Sequence, residues 1–387
     1  MKLLLIAPQP FYTLRGTPIA VRQLAEALSR RGWEIDLLTY HVGEDVSIPR
    51  ARIVRGAAVP GIRKLSAGFS AGKILCDIVL LFKAMGMARR TKYNYVHAVE
   101  ESVFMAMLLR LLFRVPYVYD MDSSMADQLM ENGRLWRLVA PILRFCETAA
   151  LRRAMHVLAV CDALVDRAHS AGATNVTVLR DAPVFGTGTA ASPAQARPEG
   201  RPVTFAYVGN LESYQGIDLM LGAFARLAPD DPAAALVIVG GSDDAVAAYR
   251  QLAGRLGVSA RVQFLGAQPP ERVEIILNDA DVLVSPRLHG LNTPMKIYSY
   301  LMCGKPILAT AIASHTQVLT PQVAMLVPCE EESMAGGMRA LARDRGLRDA
   351  LAAAAGRLAA EKYSLKAFEA SVTGFCEAVA VALRKQS

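Results

Sequence analysis

The chain has 387 residues, 53% of them hydrophobic and 20% charged, with a formal net charge of +8. That length is too great for one ordinary core and points to two domains, and the composition suits a globular chain with large buried sheets. Pro8 and Pro10 stop the apolar opening too soon for a signal peptide, and no run reaches the length of a membrane-spanning helix. Six scattered cysteines with no C-x-x-C pair fit reduced cytosolic thiols better than disulfides or zinc. The charge is one-sided: up to Phe185 there are 24 Lys and Arg against 16 Asp and Glu, and beyond it 19 against 19. The first half therefore favours an anionic partner, unless its basic residues only solvate the surface.

Residues 3–7 read as a strand, and 19–30 as a helix with Val21, Leu24, Ala25 and Leu28 on one face. Strands follow at 35–39 and 52–56, a helix at 74–89, then strands at 95–98, 117–120 and 156–160 with helices between them. Strand, helix, strand in this rhythm predicts a parallel sheet covered on both faces. Residues 186–201, rich in Gly, Thr, Ala and Pro, read as a linker. The pattern then restarts with a strand at 204–208, a helix at 217–227 and a strand at 236–239. Apolar segments follow at 249–256, 262–265, 273–278 and 282–285. A helix of about ten residues begins near Pro294, with Asn292 and Thr293 as capping residues and Gly304-Lys305-Pro306 as its stop. A strand at 307–309 and helices from about 332 complete the chain. The fold class is α/β: two doubly wound Rossmann-like domains, 1–185 and 202–387, facing across a cleft. The last helix is a candidate to pack back on the first domain.

Ligands of open α/β sheets bind beyond the carboxyl ends of strands, so residues just after strands are the candidates. There is no G-x-G-x-x-G after a strand, no P-loop and no H-E-x-x-H. Gly68-Phe69-Ser70-Ala71-Gly72 matches the G-x-S-x-G nucleophile elbow, but 62–66 is a poor core strand, and a Gly/Ser loop is the better reading. Arg15-Gly16-Thr17-Pro18 opens the first helix, where exposed N–H groups suit an anion or a hydroxyl. Asp120 and Asp122 stand two apart after a strand. They could hold a divalent cation, accept from sugar hydroxyls, act as a base, or cap the next helix beside Ser123 and Ser124. Gly209-Asn210-Leu211 and Gln215-Gly216 form a glycine-bearing loop before a helix. Arg287 and Lys296 could together meet a diphosphate at a helix N-terminus, or be ordinary surface charges.

The order and spacing of these segments resemble the family-4-type glycosyltransferases of the GT-B fold over nearly the whole chain. The likeness rests on Pro294-Met295-Lys296-Ile297-Tyr298-Ser299-Tyr300 with Gly304-Lys305-Pro306, and on Tyr207-Val208-Gly209-Asn210-Leu211 with Gly216-Ile217-Asp218. Val262-Gln263-Phe264-Leu265-Gly266, the 280–286 segment, Arg15-Gly16-Thr17-Pro18 and Gly32-Trp33-Glu34-Ile35 extend it. The resemblance implies a second domain that binds a nucleotide-diphosphate sugar and a first that binds a glycan or lipid-linked acceptor. It implies transfer with retention of configuration and no required metal or cofactor. It assigns Asp122, Arg287 and Lys296 to catalysis. Donor-site contacts fall to Gly16, Gly209, Asn210, Gln215, Phe264, Leu265, Gly266, Asn292, Thr293, Pro294 and Ser299. An anionic membrane surface is a further candidate partner and nucleic acid is not one; the expected location is cytoplasmic, with the inner membrane face as a candidate.

The pattern departs from the family at several places. Ser299 stands where a ribose-binding Glu is usual, Asn210 and Gln215 where a basic residue often follows the glycine loop, and Gln317 where an acidic residue is common. A His that often ends the strand leading to Asp122 and the first Glu of the usual pair near Gly290–Leu291 are also missing. These departures keep two other readings open, a GT-B-like nucleotide-sugar epimerase and a non-catalytic nucleotide-sugar-binding subunit. A metal-dependent transferase using Asp120 and Asp122 is a fourth.

Overall fold

The structure, a computed structural model, describes residues 1–13, 16–62, 65, 70–124, 136–185 and 202–386. The predicted linker at 186–201, Arg15, and Gly68 and Phe69 of the G-x-S-x-G pattern lie outside the described residues. The chain divides into two compact units, one of residues 1–181 with 368–387 and the other of 182–367.

The first unit runs β1 (Lys2–Ala7), α1 (Gly16–Arg30), β2 (Glu34–Thr39), β3 (Ala51–Arg55), α2 (Ala71–Arg90), β4 (Tyr95–Val99), α3 (Ser102–Phe113), β5 (Tyr117–Met121), α4 (Trp136–Arg153), β6 (His156–Ala159), α5 (Asp162–Ser170) and β7 (Val176–Val178). All neighbours are parallel, in the order β3-β2-β1-β4-β5-β6-β7. A parallel sheet is covered on both faces, so its central strands must be apolar throughout. Leu3 to Ala7 on β1 and Tyr95 to Val99 on β4 are accordingly all buried. The strand order reverses between β1 and β4. The loops leaving these strands diverge there, which is where such sheets hold ligands. Ser70 caps α2, its hydroxyl accepting the Lys73 N–H at 3.2 Å. The serine of the G-x-S-x-G pattern thus has a structural use.

The second unit runs β8 (Thr204–Val208), α6 (Ile217–Leu227), β9 (Ala235–Val239), α7 (Asp243–Arg255), β10 (Val262–Gly266), α8 (Pro270–Asp279), β11 (Val282–Ser285), α9 (Met295–Met302), β12 (Ile307–Thr310), α10 (Ala313–Thr316), β13 (Met325–Val327), α11 (Glu331–Arg343) and α12 (Arg345–Leu358). Its parallel order, β10-β9-β8-β11-β12-β13, reverses between β8 and β11. A final helix, α13 (Leu365–Gln386), belongs from Phe368 onward with the first unit. Arg31 donates there to the Glu369 carboxylate at 2.7 Å, and Phe375 meets the His97 and His156 rings edge-on at 6.1 and 5.6 Å.

The division at Asp181 and Ala182 comes a few residues before the stretch that composition marks as a linker. The reason is local. Phe185 packs on the apolar cluster of the second unit, and the N–H groups of Val184 and Phe185 both donate to Ser299 Oγ, at 3.0 and 3.3 Å.

Candidate active site

In the second unit, three glycines at adjacent strand ends let the backbone close up. Gly209, Gly240 and Gly266 follow or end β8, β9 and β10 with φ of +154°, +106° and +63°. A Cβ on Gly240 would fall 2.1 Å from Gly209 O, and the Gly240 N–H donates to Gly266 O at 2.7 Å. Gly216, at φ +71°, lies so close to Pro286 that a Cβ would come within 2.1 Å of its carbonyl oxygen. The N-terminus of α6 is thereby held against the loop that carries Arg287.

Lys296 and Arg287 occupy this ground. Lys296 Nζ donates to Gln215 Oε1 at 3.0 Å and lies 3.9 Å from the centre of the Tyr207 ring. It also fills the space beside Gly209, where a Cβ would sit 2.8 Å from Nζ. Arg287 donates from Nε to His289 O (2.8 Å), and from Nη1 and Nη2 to the main-chain and side-chain oxygens of Asn292 (both 3.1 Å). Its guanidinium stands over the Tyr214 ring. Behind it, the Thr310 hydroxyl donates to Arg287 O, and buried His315 bridges Thr310 O (2.8 Å) and Ser285 Oγ (2.9 Å). Burial, with the nearby cations adding to it, pushes the His315 imidazole down to about 4, so it is neutral at physiological pH. Burial and then the charge of Arg287 push the Lys296 ammonium well below the usual lysine range. The Gln215 amide and the Tyr207 ring that meet Lys296 are neutral, so an anion placed here would restore its charge.

The N-terminus of α9 differs from the capping expected of it. Pro294 takes the N-cap position without a side-chain hydrogen bond, and the helix has eight residues. Asn292 does not cap because its Oδ1 is taken by Arg287. Thr293 is buried, and its Oγ1 has no protein partner. Gly304, at φ +59°, ends the helix after Cys303. Ser299 lies one turn in and is 1% exposed; its oxygen accepts the two amides of 184 and 185. Asn210 contributes its carbonyl, which accepts from Tyr207 OH at 2.6 Å. The Phe264 side chain belongs to the core, and Leu265 O accepts from Gln268 Nε2.

The first unit gathers carboxyls instead. Asp122 lies just past β5, and the Thr17 hydroxyl of α1 hydrogen-bonds its carboxyl; Gly16 is the exposed first residue of that helix. A small pocket in this unit is lined by Asp120 and Asp122, with Asp181, Gln23 and Leu24. His97 Nε2 bonds Asp120 Oδ2 at 2.9 Å. Glu100 follows β4 at φ +49°, a left-handed conformation uncommon for a glutamate. Burial, then repulsion from Asp120, Glu100 and Asp181, raises Asp122 well above the carboxylate range. Asp181 rises to about 7 through burial and then Asp120, and Glu100 to about 7 through burial and then Glu101. Among the described residues no group of three His, Cys, Asp or Glu side chains is placed to hold a metal ion.

Glu100, His97 and Asp181 are absent from the sequence-level assignment. Glu100 stands just after a predicted strand and was open to the strand-end rule. Asp181 was not, because β7 has three residues and no visible alternation.

Comparison with known proteins follows the same division. Residues 15–182 match the family model described as "Glycosyl transferase 4-like domain", and 189–357 match "Glycosyl transferases group 1". Among curated proteins, the D-inositol 3-phosphate glycosyltransferase of Corynebacterium efficiens is 28% identical over 300 residues, 70% of this chain and 68% of that protein. Sucrose-phosphate synthase from Thermosynechococcus elongatus superposes with a TM-score of 0.81 at 19% identity, over 98% of this chain and 99% of that one. HepE of Anabaena, solved with UDP and glucose, gives 0.74 at 17% identity over 97% and 99%. At these identities the solved structures speak for the fold, and the two family models, which together span most of the chain, speak against the epimerase and non-catalytic readings. The chain belongs to the group 1 glycosyltransferases of the GT-B fold.

Proposed function

We propose that the chain transfers a sugar from a nucleotide-diphosphate sugar held by the second unit to a glycan or lipid-linked acceptor held by the first. The reading includes retention of configuration, no metal requirement and a cytoplasmic location. The observation that carries it is the pair of cations at the N-terminus of α9. Arg287 is oriented by three hydrogen bonds, and Lys296 is partly buried against neutral partners. Breaking the glycosidic bond leaves negative charge on the departing diphosphate. Donors already fixed in place lower that barrier because nothing reorganises as the charge develops. The helix end and the Thr293 hydroxyl add to the same field. Those two charges do for the leaving group what a divalent cation does elsewhere, which supports the metal-free reading.

Asp122 is assigned to the acceptor. With its carboxyl raised by burial and by its neighbours, it can orient a sugar hydroxyl, and in its deprotonated form take that hydroxyl's proton as transfer proceeds. Ser299 is read as fixing the chain at 184–185, so the ribose of the donor is held by other groups. The retention reading rests on the family resemblance. The cytoplasmic reading is supported by six free cysteines, one of them exposed.

The test is a donor panel of nucleotide sugars with chelator present, starting from UDP sugars, with the anomeric configuration of the product read by NMR. Transfer in chelator with retention is the expected result. Turnover of the nucleotide sugar to an altered free nucleotide sugar, with no acceptor present, would contradict it.

A further inference from the structure

The first unit carries an apolar face that its own fold leaves uncovered. Fourteen large hydrophobic side chains are exposed among the described residues, and eight of them lie on α2, α3 and α4. On α2 these are Ile74, Leu75, Ile78 and Phe82, spaced to form one stripe. Leu111 and Leu112 stand at the C-terminal end of α3, and Ile142 and Phe145 on α4. Phe82, Leu111 and Phe145 are 67%, 76% and 75% exposed, values far from those of side chains closing a core. Three crossovers, β3 to β4, β4 to β5 and β5 to β6, run the same way across the sheet. Right-handed connections therefore lay α2, α3 and α4 on one face of it, and α3 packs against both of the others.

The charge on these three helices is equally one-sided. The described side chains of the three helices include eight Lys or Arg and two Asp or Glu. Both carboxyls are already engaged, Asp77 accepting from Tyr40 OH and Glu147 pairing with Arg167. Lys83, Arg89, Arg90, Arg152 and Arg153 are exposed. A second copy of this chain meeting the same face by two-fold symmetry would set basic against basic. A surface that is anionic and also accepts protruding apolar side chains matches both features at once.

We infer that the α2–α3–α4 face docks on an anionic lipid bilayer, with Phe82, Phe145 and their neighbours entering the boundary below the headgroups and the surrounding Lys and Arg meeting lipid phosphates. The inference extends the lipid-linked acceptor reading, but vesicle binding without any sugar tests it alone. The full chain is sedimented with vesicles of phosphatidylcholine, or of phosphatidylcholine and phosphatidylglycerol in equal parts, across a salt series. Partition onto the mixed vesicles that weakens with salt is expected. The Phe82→Ser/Phe145→Ser double variant should lose it by at least about tenfold. Lys83→Glu with Arg90→Glu should remove most of its salt dependence. An unchanged thermal midpoint and unchanged UDP-induced stabilisation would show that the variants are folded. No partition onto the mixed vesicles overturns the inference, as does partition that the double variant leaves intact. Self-association that the double variant abolishes would assign the face to a protein and overturn it too. Failure on vesicles with UDP stabilisation preserved removes the docking surface and leaves the donor reading standing.

Discussion

At and just past the carboxyl ends of its strands the first unit gathers Glu100, Asp120, Asp122 and Asp181, whereas the second gathers Arg287 and, on the helix that follows, Lys296. The two sheets are wound alike, and each reverses its strand order at the place where these groups collect. Architecture thus supplies two equivalent positions, and the side chains decide what each can hold. Carboxyls crowded in partial burial retain protons and suit neutral hydroxyls. Cations crowded in partial burial are short of charge balance and suit a diphosphate. The difference also explains the support each receives. Arg287 is fixed by carbonyls and a neutral histidine behind it, while Asp122 is met by a hydroxyl from α1.

Substitutions can break this contrast, and the largest effect is expected in the second unit. Arg287→Ala should lower kcat/KM for transfer by about 10³-fold and Lys296→Ala by about 10²-fold, with UDP binding weakened in both. Steady-state rates and UDP titration read these directly. Asp122→Asn should lower the transfer rate by roughly 10²-fold and leave UDP affinity unchanged, as the proposed donor site in the second unit requires. A parallel loss of UDP affinity would erase the distinction drawn between the two units.

A smaller effect is expected at Ser299. Alanine there leaves the amides of 184 and 185 without their acceptor and should cost about 1–3 kcal/mol in a thermal or denaturant melt. Glutamate, the residue usual in the family, must enter a site that is 1% exposed, and should destabilise further without tightening UDP. Tighter UDP binding by Ser299→Glu would mean the position still faces the ribose.

The smallest effect is on pH dependence. Glu100 and Asp181 have folded values raised to about 7, above those of an unfolded chain. Such groups contribute stability that is fully present below the ordinary carboxylate pKa and is lost as pH rises through about 7. Unfolding free energy should therefore fall between about pH 4 and 7 from this source, and Asp181→Asn should flatten the fall by on the order of 1 kcal/mol, since both groups are partly solvated. Denaturant melts over that range would read it.

Much of the fold was legible because parallel strands are nearly continuous apolar runs. Residues 3–7 and 282–285 announce themselves in this way. β7 and β13, with three residues each, and α10, with four, are too short to show a period. The strand-end rule points to Asp122, Gly209 and Arg287, and each of them stands just past a strand. It could not reveal that Asn292 bonds Arg287 rather than capping a helix, because that choice is made by a partner across a loop. Nor could it place Ser299 against 184–185, a contact over more than a hundred residues of chain. Asp181 stayed hidden behind an unread strand. Glu100 carries no signal in the sequence, because a single glutamate after a strand has no spacing pattern until Asp120 and Asp122 are brought beside it.

On the proposed reading, the second unit holds a nucleoside diphosphate on Arg287 and Lys296. Calorimetric titration of the full chain with UDP, in two buffers of different ionisation enthalpy above neutral pH, tests it most directly. Because Lys296 sits well below the usual lysine range and an anion restores its charge, binding should take up a proton and weaken as pH rises. Lys296→Ala should bind more weakly and take up none. Equal UDP affinity in wild type and variant, with no proton uptake in either, would contradict the claim.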